Sequence, residues 1–213
     1  MVLHVLIACE ESQAECSAFR ALGHNAYSCD IQKCAKSGHP EWHICSDVRP
    51  YLHGCTSFIT QDGVPVKVPR WDLIIAHPPC TYLCKVSSVV LVKNGVLDLD
   101  RLSKMYAARE FFLECLGADA KYVAVENPQP MRRAQLPQPS CYACPSWYGD
   151  KYTKKTLYWL KNLPPLMAEY ECPDTKSLVH CTRGKYRSRT SRFLADALAR
   201  QWSEYIVQME GGL

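Results

Sequence analysis

The run Trp71-Asp72-Leu73-Ile74-Ile75-Ala76-His77, and the Pro78-Pro79 step that ends it, constrain the fold more than any other feature of this chain. The run is short, apolar and rich in isoleucine, which predicts a central parallel strand buried on both faces. Proline fixes φ and has no N–H to give to a ladder, so Pro-Pro stops the strand abruptly. Cys80 is thereby delivered to the carboxyl end of a strand, the edge where open α/β sheets place ligands and chemistry. A second run, Lys121 to Val125, ends in the same way at Glu126-Asn127-Pro128, with a carboxylate at its end.

The remaining pattern fits around these two strands. Residues 2 to 9 predict a first strand. Residues 11 to 22 predict a helix with Ala14, Ala18, Phe19 and Leu22 near one face and Gly23 as its stop. Residues 25 to 29 predict a second strand ending at Asp30, and 44 to 48 a short third strand. Residues 49 to 70 contain glycine and proline and predict irregular chain with a helix or hairpin. Residues 99 to 116 have helical apolar spacing, 157 to 160 predict a further strand, and 190 to 206 a terminal helix. Strands alternating with helices predict an α/β fold with a doubly wound, mostly parallel sheet. The 213 residues suit one domain, 1–213, in which the proline-rich segment 128–152 forms an irregular loop or cap.

Composition narrows the function classes. Apolar content of 47% and charged content of 22% are those of a globular protein, and no apolar stretch is long enough to span a bilayer. The first residues read as a strand and not as a signal peptide. Thirteen cysteines in a chain with this much regular patterning predict mostly free thiols in a reducing, intracellular setting. Net charge is only +4, with basic residues concentrated in the C-terminal third, a distribution that suits either a phosphate-bearing partner or a solvated face.

The order of several short pieces carries a resemblance. They are Ala8-Cys9-Glu10-Glu11-Ser12-Gln13 after the first strand, the stretch Gly23 to Asp30, Gly38 to Ile44, Pro78-Pro79-Cys80, Glu126-Asn127-Pro128, Leu157 to Pro164, and Arg187-Ser188-Arg189-Thr190. Together they resemble the cytosine-5 DNA methyltransferase family, and more closely its short phage-type members, over nearly the whole chain. The resemblance implies a Rossmann-like methyltransferase sheet, S-adenosylmethionine as cofactor and DNA as substrate, in the cytoplasm of a bacterial or phage-infected cell. It implies that the Cys80 thiolate adds to carbon 6 of cytosine, while Glu126 hydrogen-bonds the base and shares a proton with ring nitrogen 3. Carbon 5 then becomes nucleophilic. Cys84 is the competing nucleophile but lacks the strand-end position. Relatives that methylate an amino group carry an aromatic residue directly after the second proline, where this chain has cysteine. In an apolar pocket the Glu126 pKa is expected to rise.

For the cofactor, an acid at the end of the second strand is well placed to bind ribose hydroxyls. The resemblance assigns the ribose to Asp30 and the adenine to Asp47 with Ile31 or Val48, and adds Ala8, Glu10, Ser12 and Pro78 to the cofactor side. The family often has glycines in the first loop, where the backbone approaches the cofactor closely; this chain has none there. On the substrate side the resemblance implies Pro79 and Asn127, Lys155 from the stretch Thr153-Lys154-Lys155-Thr156, and Arg187 and Arg189 as phosphate contacts. Cys141-x2-Cys144 followed by Cys172 and Cys181 resembles a four-cysteine structural zinc pattern, with His180 a substitute ligand and free thiols the alternative.

Larger family members insert a target-recognition domain that the segment 128–152 is too short to form. Three alternatives follow: low sequence specificity, a protein partner that supplies specificity, or a substrate that is a free pyrimidine nucleotide or RNA. A catalytically idle nucleic-acid-binding relative is a further alternative.

Overall fold

The computed structural model describes residues 1–85, 91–93, 95–170, 176–177 and 189–211. In chain order the elements are β1 (His4–Ala8), α1 (Ala14–Ala21), β2 (Asn25–Asp30), β3 (His43–Cys45), α2 (Arg49–Leu52), β4 (Ser57–Ile59), β5 (Pro65–Lys67), β6 (Leu73–Ala76), β7 (Val92–Lys93), β8 (Val96–Leu97), α3 (Leu99–Leu116), β9 (Tyr122–Asn127), β10 (Cys141–Ala143), β11 (Tyr152–Thr153), β12 (Thr156–Lys161), β13 (Lys176–Ser177) and α4 (Arg192–Gly211). Seven of these strands form one sheet in the order β10-β12-β9-β6-β1-β2-β3. The pairings β3–β2, β2–β1, β1–β6 and β6–β9 are parallel; β12 runs antiparallel to both β9 and β10. The doubly wound, mostly parallel α/β sheet expected from the sequence is the one observed.

Strand alternation divides the core in two. On one face Leu3, Val5, Ile7, Leu73, Ile75, Ala124 and Tyr158 pack under α1 and α4. On the other, Leu6, Ala8, Ile74, Ala76, Val123, Val125 and Trp159 pack under α3 and the segment around α2, β4 and β5. Residues 49 to 70 thus supply both a helical turn and a hairpin.

Several boundaries differ from the sequence expectation. Helix α1 begins at Ala14, not Glu11, because Gln13 adopts a left-handed backbone, φ 58°, that ends any helix running through it. Leu22 falls beyond the helix and is exposed. Strand β9 continues through Glu126 and Asn127, because the antiparallel β12 pairs with them: Glu126 faces Tyr158 and Asn127 faces Leu157. The segment 128–152 is more than a loop, since it contributes β10 to the edge of the main sheet. Strand β3 ends at Cys45, which leaves Asp47 in the following turn.

Candidate active site

The sheet winds outward from β1 in one direction, to β2 and β3, and from β6 in the other, to β9. The crevice at the carboxyl ends of β1 and β6 is therefore the topological switch point, the place where such sheets bind ligands. The two strand ends are stitched together there: the His77 N–H donates to the Ala8 carbonyl at 2.9 Å. The loop 9–13 leaves one side of this crevice and the loop 77–80 leaves the other.

Cys80 opens a tight turn, in which the Leu83 and Cys84 N–H groups both donate to its carbonyl at 3.0 Å. Asn127, at the end of the neighbouring strand, donates from Nδ2 to the Pro78 carbonyl at 3.0 Å and is itself fully buried. Lys85 N donates to the Gln129 carbonyl at 2.8 Å, and Met131 N to the Leu83 carbonyl at 2.7 Å. The loops that follow Cys80 and Glu126 are thus bonded at three points. Burial pushes the Cys80 thiol up to about 11, helped by Cys84 and Glu126 and opposed by Lys154. At neutral pH the resting group is a thiol, in electrostatic contact with Glu126 and Lys154.

Glu126 departs from expectation. Burial does push its carboxyl upward, but the His77 hydrogen bond and the Lys154 charge outweigh it, and the net shift is downward. His77 lies on the same face of β6 as Leu73 and Ile75, which turns it toward α1. Its Nε2 donates to Glu15 Oε2 at 3.0 Å and its Nδ1 to Glu126 Oε2 at 3.4 Å. Glu15 is fully buried and its other oxygen accepts from Thr190 Oγ1 at 3.0 Å. Burial disfavours the charge on His77, yet the two carboxylates hold its pKa well above the ordinary histidine value.

Glu126 also lines a cavity of about 200 Å³, together with Lys154, Tyr158, Arg189, Thr190 and Ser191. Tyr158 is fully buried, and its hydroxyl has no hydrogen-bond partner among the described residues. A larger cavity, about 320 Å³, lies at the opposite, amino ends of β6 and β9 between Arg70, Asp72, Lys121 and Glu210, remote from the strand-end chemistry.

On the other side of the crevice, Asp30 ends β2 and accepts the Gln32 N–H at 2.8 Å. Burial, followed by Asp30 and Asp47, pushes the Cys9 thiol up to about 12, so both acids face the same strand end. Asp47 is exposed and paired with Arg49 at 3.0 Å. Ile31 is 77% exposed beside Asp30, whereas Val48 is buried in the core. The first loop holds left-handed backbone at both Cys9, φ 61°, and Gln13. Each costs an L-residue roughly 1–2 kcal/mol relative to glycine, offset by fixed contacts. Gln13 is buried; its Oε1 accepts from His39 N at 2.6 Å, and its Nε2 donates to the His39 carbonyl at 2.9 Å and to Ser28 Oγ at 3.1 Å. Gly38 has no side chain because a Cβ there would collide with the Gln13 amide.

Other expected site residues have internal duties. Glu10 is buried and caps α1, its oxygens accepting from Glu15 N at 2.8 Å and Cys16 N at 3.3 Å; Ser12 Oγ donates to it at 3.5 Å. Burial, then Glu15, pushes its carboxyl up to about 7. Ala8 and Pro78 are buried and Pro79 is exposed. Lys155 is exposed, its Nζ 4.4 Å from the Tyr142 ring centroid, while Lys154 lines the cavity. Arg189 Nη2 donates to Glu11 Oε1 at 3.4 Å. Arg187, Cys172, His180 and Cys181 lie outside the described residues. Cys141 and Cys144 are free thiols, and among the described residues no group of three or more ligating side chains could hold a metal.

The sequence reading missed His77, Glu15 and Lys154. Period-two alternation carried a signal for Lys154: it stands two and four residues before Thr156 and Tyr158, and Tyr158 opposes Glu126.

No protein-family model matches this chain, and no curated protein matches it. Among solved structures, it aligns with a prophage-encoded protein of E. coli assigned as a DNA modification methyltransferase. The identity is 15%, covering 81% of this chain and 53% of that one, with a TM-score of 0.47. It also aligns with a triple-substitution variant of DNMT2 from Spodoptera frugiperda at 15% identity, covering 73% and 48%, with a TM-score of 0.35. The chain spans about half the length of each. At this distance the likeness is one of backbone shape, and function has to be read from this chain's own side chains. No helix among the described residues is long and apolar enough to cross a membrane.

Proposed function

We propose that this chain is an S-adenosylmethionine-dependent methyltransferase acting on carbon 5 of cytosine in DNA, with Cys80 as nucleophile and Glu126 as the group that activates the base. The observation that carries the reading is the placement of a thiol and a carboxylate at the carboxyl ends of adjacent parallel strands beside the switch point. Asn127 ties the two loops together at 3.0 Å.

The resting protonation states supply a balanced first step. Cys80 begins as a thiol and Glu126 as a carboxylate. When sulfur adds to carbon 6, the S–H bond breaks and the S–C bond forms. The released proton passes to the Glu126 carboxylate, which shares it with ring nitrogen 3 as negative charge develops there. Lys154 favours both anions. A cavity of about 200 Å³ lies against Glu126 and Lys154.

The residues at the other strand ends fit the cofactor. The first loop keeps left-handed backbone at two positions without glycine. Asp30 offers a carboxylate at the end of β2, and Ile31 an exposed apolar surface next to it. In this reading Asp30 holds the ribose and Ile31 the adenine, with Asp47 in a lesser role. Bound there, S-adenosylmethionine supplies an electrophilic methyl group.

A free pyrimidine nucleotide or RNA is a second substrate reading. It is favoured by the fact that segment 128–152 is spent partly on β10 and not on a protruding recognition element. The test is labelled S-adenosylmethionine with duplex DNA, single strands, RNA and free nucleotides, combined with 5-fluorocytosine versions of each. Fluorine cannot leave carbon 5 as a proton does, so methylation should lock a covalent adduct that maps to Cys80. Turnover of the normal substrate without an adduct on its fluorinated analogue would exclude carbon-5 chemistry in favour of the exocyclic amino group.

A further inference from the structure

We infer that His77, held as an imidazolium between Glu15 and Glu126, is the positioning residue that keeps Glu126 ionised and turned toward the Cys80 loop. The inference rests on the proposed function for its catalytic meaning, but its geometry stands alone. Three acids, the buried Glu10 and Glu15 and the largely buried Glu126, surround a single imidazole. Glu15 comes from α1, Glu126 from β9, and Glu10 from the first loop, where His77 partly offsets the upward push of burial. Tyr158 from β12 lies beside both Glu15 and Glu126, and Lys154 adds its charge to Glu126. Thr190, just before α4, fixes the far oxygen of Glu15 at 3.0 Å.

Each part of the chain of contacts has a task. Glu15 has both oxygens committed, to Thr190 and to His77, so it cannot swing away. His77 then has both ring nitrogens committed, which fixes the ring plane and makes both nitrogens donors. Glu126 Oε2 is occupied by His77, and the same side chain lines the cavity. Without His77, burial would push the Glu126 carboxyl upward with only the Lys154 charge opposing it, which favours the protonated form. A protonated Glu126 cannot accept the Cys80 proton, and addition to carbon 6 stalls. The loss is therefore pH-dependent: raising the pH ionises Glu126 again and restores the acceptor. A purely structural role would lower the rate equally at every pH.

The experiment compares wild type, His77→Gln and Glu15→Gln, each checked for folding by thermal denaturation. Carbon-13 NMR of glutamate side chains, with Glu126 assigned through Glu126→Gln, should show the Glu126 titration moved to higher pH by one unit or more in His77→Gln. In Glu15→Gln the His77 imidazolium should lose its proton at lower pH than in wild type. An unmoved Glu126 titration in His77→Gln overturns the proposal, and so does a wild-type His77 that titrates near 6.5. If His77→Gln fails to fold, the Glu15→Gln arm decides, since an imidazole indifferent to Glu15 equally overturns it. Adduct formation with a 5-fluorocytosine oligonucleotide and S-adenosylmethionine gives the catalytic readout. At pH 7 His77→Gln should be at least tenfold slower than wild type, and the acidic limb of its rate profile should shift upward by the same interval as the Glu126 titration. A wild type that forms no adduct with any fluorinated substrate counts against the proposed function, while the NMR arms still decide the role of His77.

Discussion

The carboxyl edge of the sheet is built in two different ways on either side of the switch point. On the β2–β3 side the acids are separate and close to water: Asp30 caps its own turn, and Asp47 is ion-paired to Arg49 on an exposed loop. On the β6–β9–β12 side the charges are buried and coupled. Glu15 and Glu126 hold the charge on His77, His77 and Lys154 hold that on Glu126, and the loops around Cys80 and Glu126 are bonded at several points. The difference follows from solvent. A carboxylate at an exposed strand end keeps its charge without help. A buried one needs a partner, and the partner then controls its chemistry. A pocket that recognises a soluble cofactor tolerates the first arrangement. A proton-transfer site requires the second.

If the buried side performs the covalent step, its substitutions should have the largest effects. Cys80→Ala should abolish both methyl transfer and trapping of a 5-fluorocytosine substrate, with S-adenosylmethionine affinity by calorimetry unchanged. Cys84→Ala should leave trapping nearly intact, and the opposite result would move the nucleophile. Glu126→Gln should slow trapping by roughly 10²-fold or more, because an amide cannot take the thiol proton. On the exposed side, Asp30→Ala should weaken cofactor binding by about 1.5–3 kcal/mol if its carboxylate holds ribose hydroxyls. Asp47→Ala should cost less than about 1 kcal/mol, since its carboxylate is exposed and already committed to Arg49. Equal losses at Asp30 and Asp47 would break the distinction within this rim, and a Cys80 variant that loses cofactor affinity would break the distinction between the two sides.

The stitching between the loops gives a stability test. Asn127→Ala removes the donor to the Pro78 carbonyl in a fully buried place and should destabilise the protein by about 1–3 kcal/mol, read from urea unfolding. Its effect on trapping should exceed its effect on cofactor binding, because the loop it holds carries Cys80.

The contrast also explains what the sequence revealed. Strand ends punctuated by proline or acid are local features, so Cys80, Glu126 and Asp30 could be picked out from Pro78-Pro79, Asn127-Pro128 and the end of β2. Glu15 could not. It sits between Ala14 and Cys16 in a short helix, where a glutamate is ordinarily solvent-facing, and only the packing of α1 against β6 and α4 buries it. His77 looked like the last residue of a strand, and its role exists only because β1, β6 and β9 lie side by side. The expectation of a raised Glu126 pKa was wrong for the same reason: burial was legible, but the partner that outweighs it was not. The resemblance points to Lys155 and not to Lys154, because composition does not say which neighbour faces the cavity; the pairing of Tyr158 with Glu126 does. The edge strand β10 was hidden by its proline-rich flanks, and the left-handed Gln13 by its being a residue type that seldom adopts that backbone.

The smallest expected effect is the pH dependence of folding, and its sign separates the two sides. Glu10 has its ordinary value of 4.5 in the unfolded chain and about 7 in the fold. Between those values the folded state holds the extra proton, so stability falls as pH rises through that window. His77 is raised from 6.5, so its contribution is complete below 6.5 and is lost as pH climbs through the elevated folded value. Both slopes have the same direction. Asp47 on the exposed side is lowered from 3.8 by the Arg49 N–H and guanidinium, so its contribution is lost only when pH falls below that range. From pH 5 to 8 Glu10 and His77 should therefore lower the melting temperature as pH rises, against an opposite slope below about 6.5 from His24 and His43, whose pKa values burial lowers; roughly 1 kcal/mol corresponds to 2–4 °C at this chain length. Glu10→Gln should flatten the part of the decline below pH 7, and His77→Gln the part above it, whereas Asp47→Asn should change neither. A Glu10→Gln profile parallel to wild type would mean that the buried acids and imidazole do not share charge as the geometry indicates.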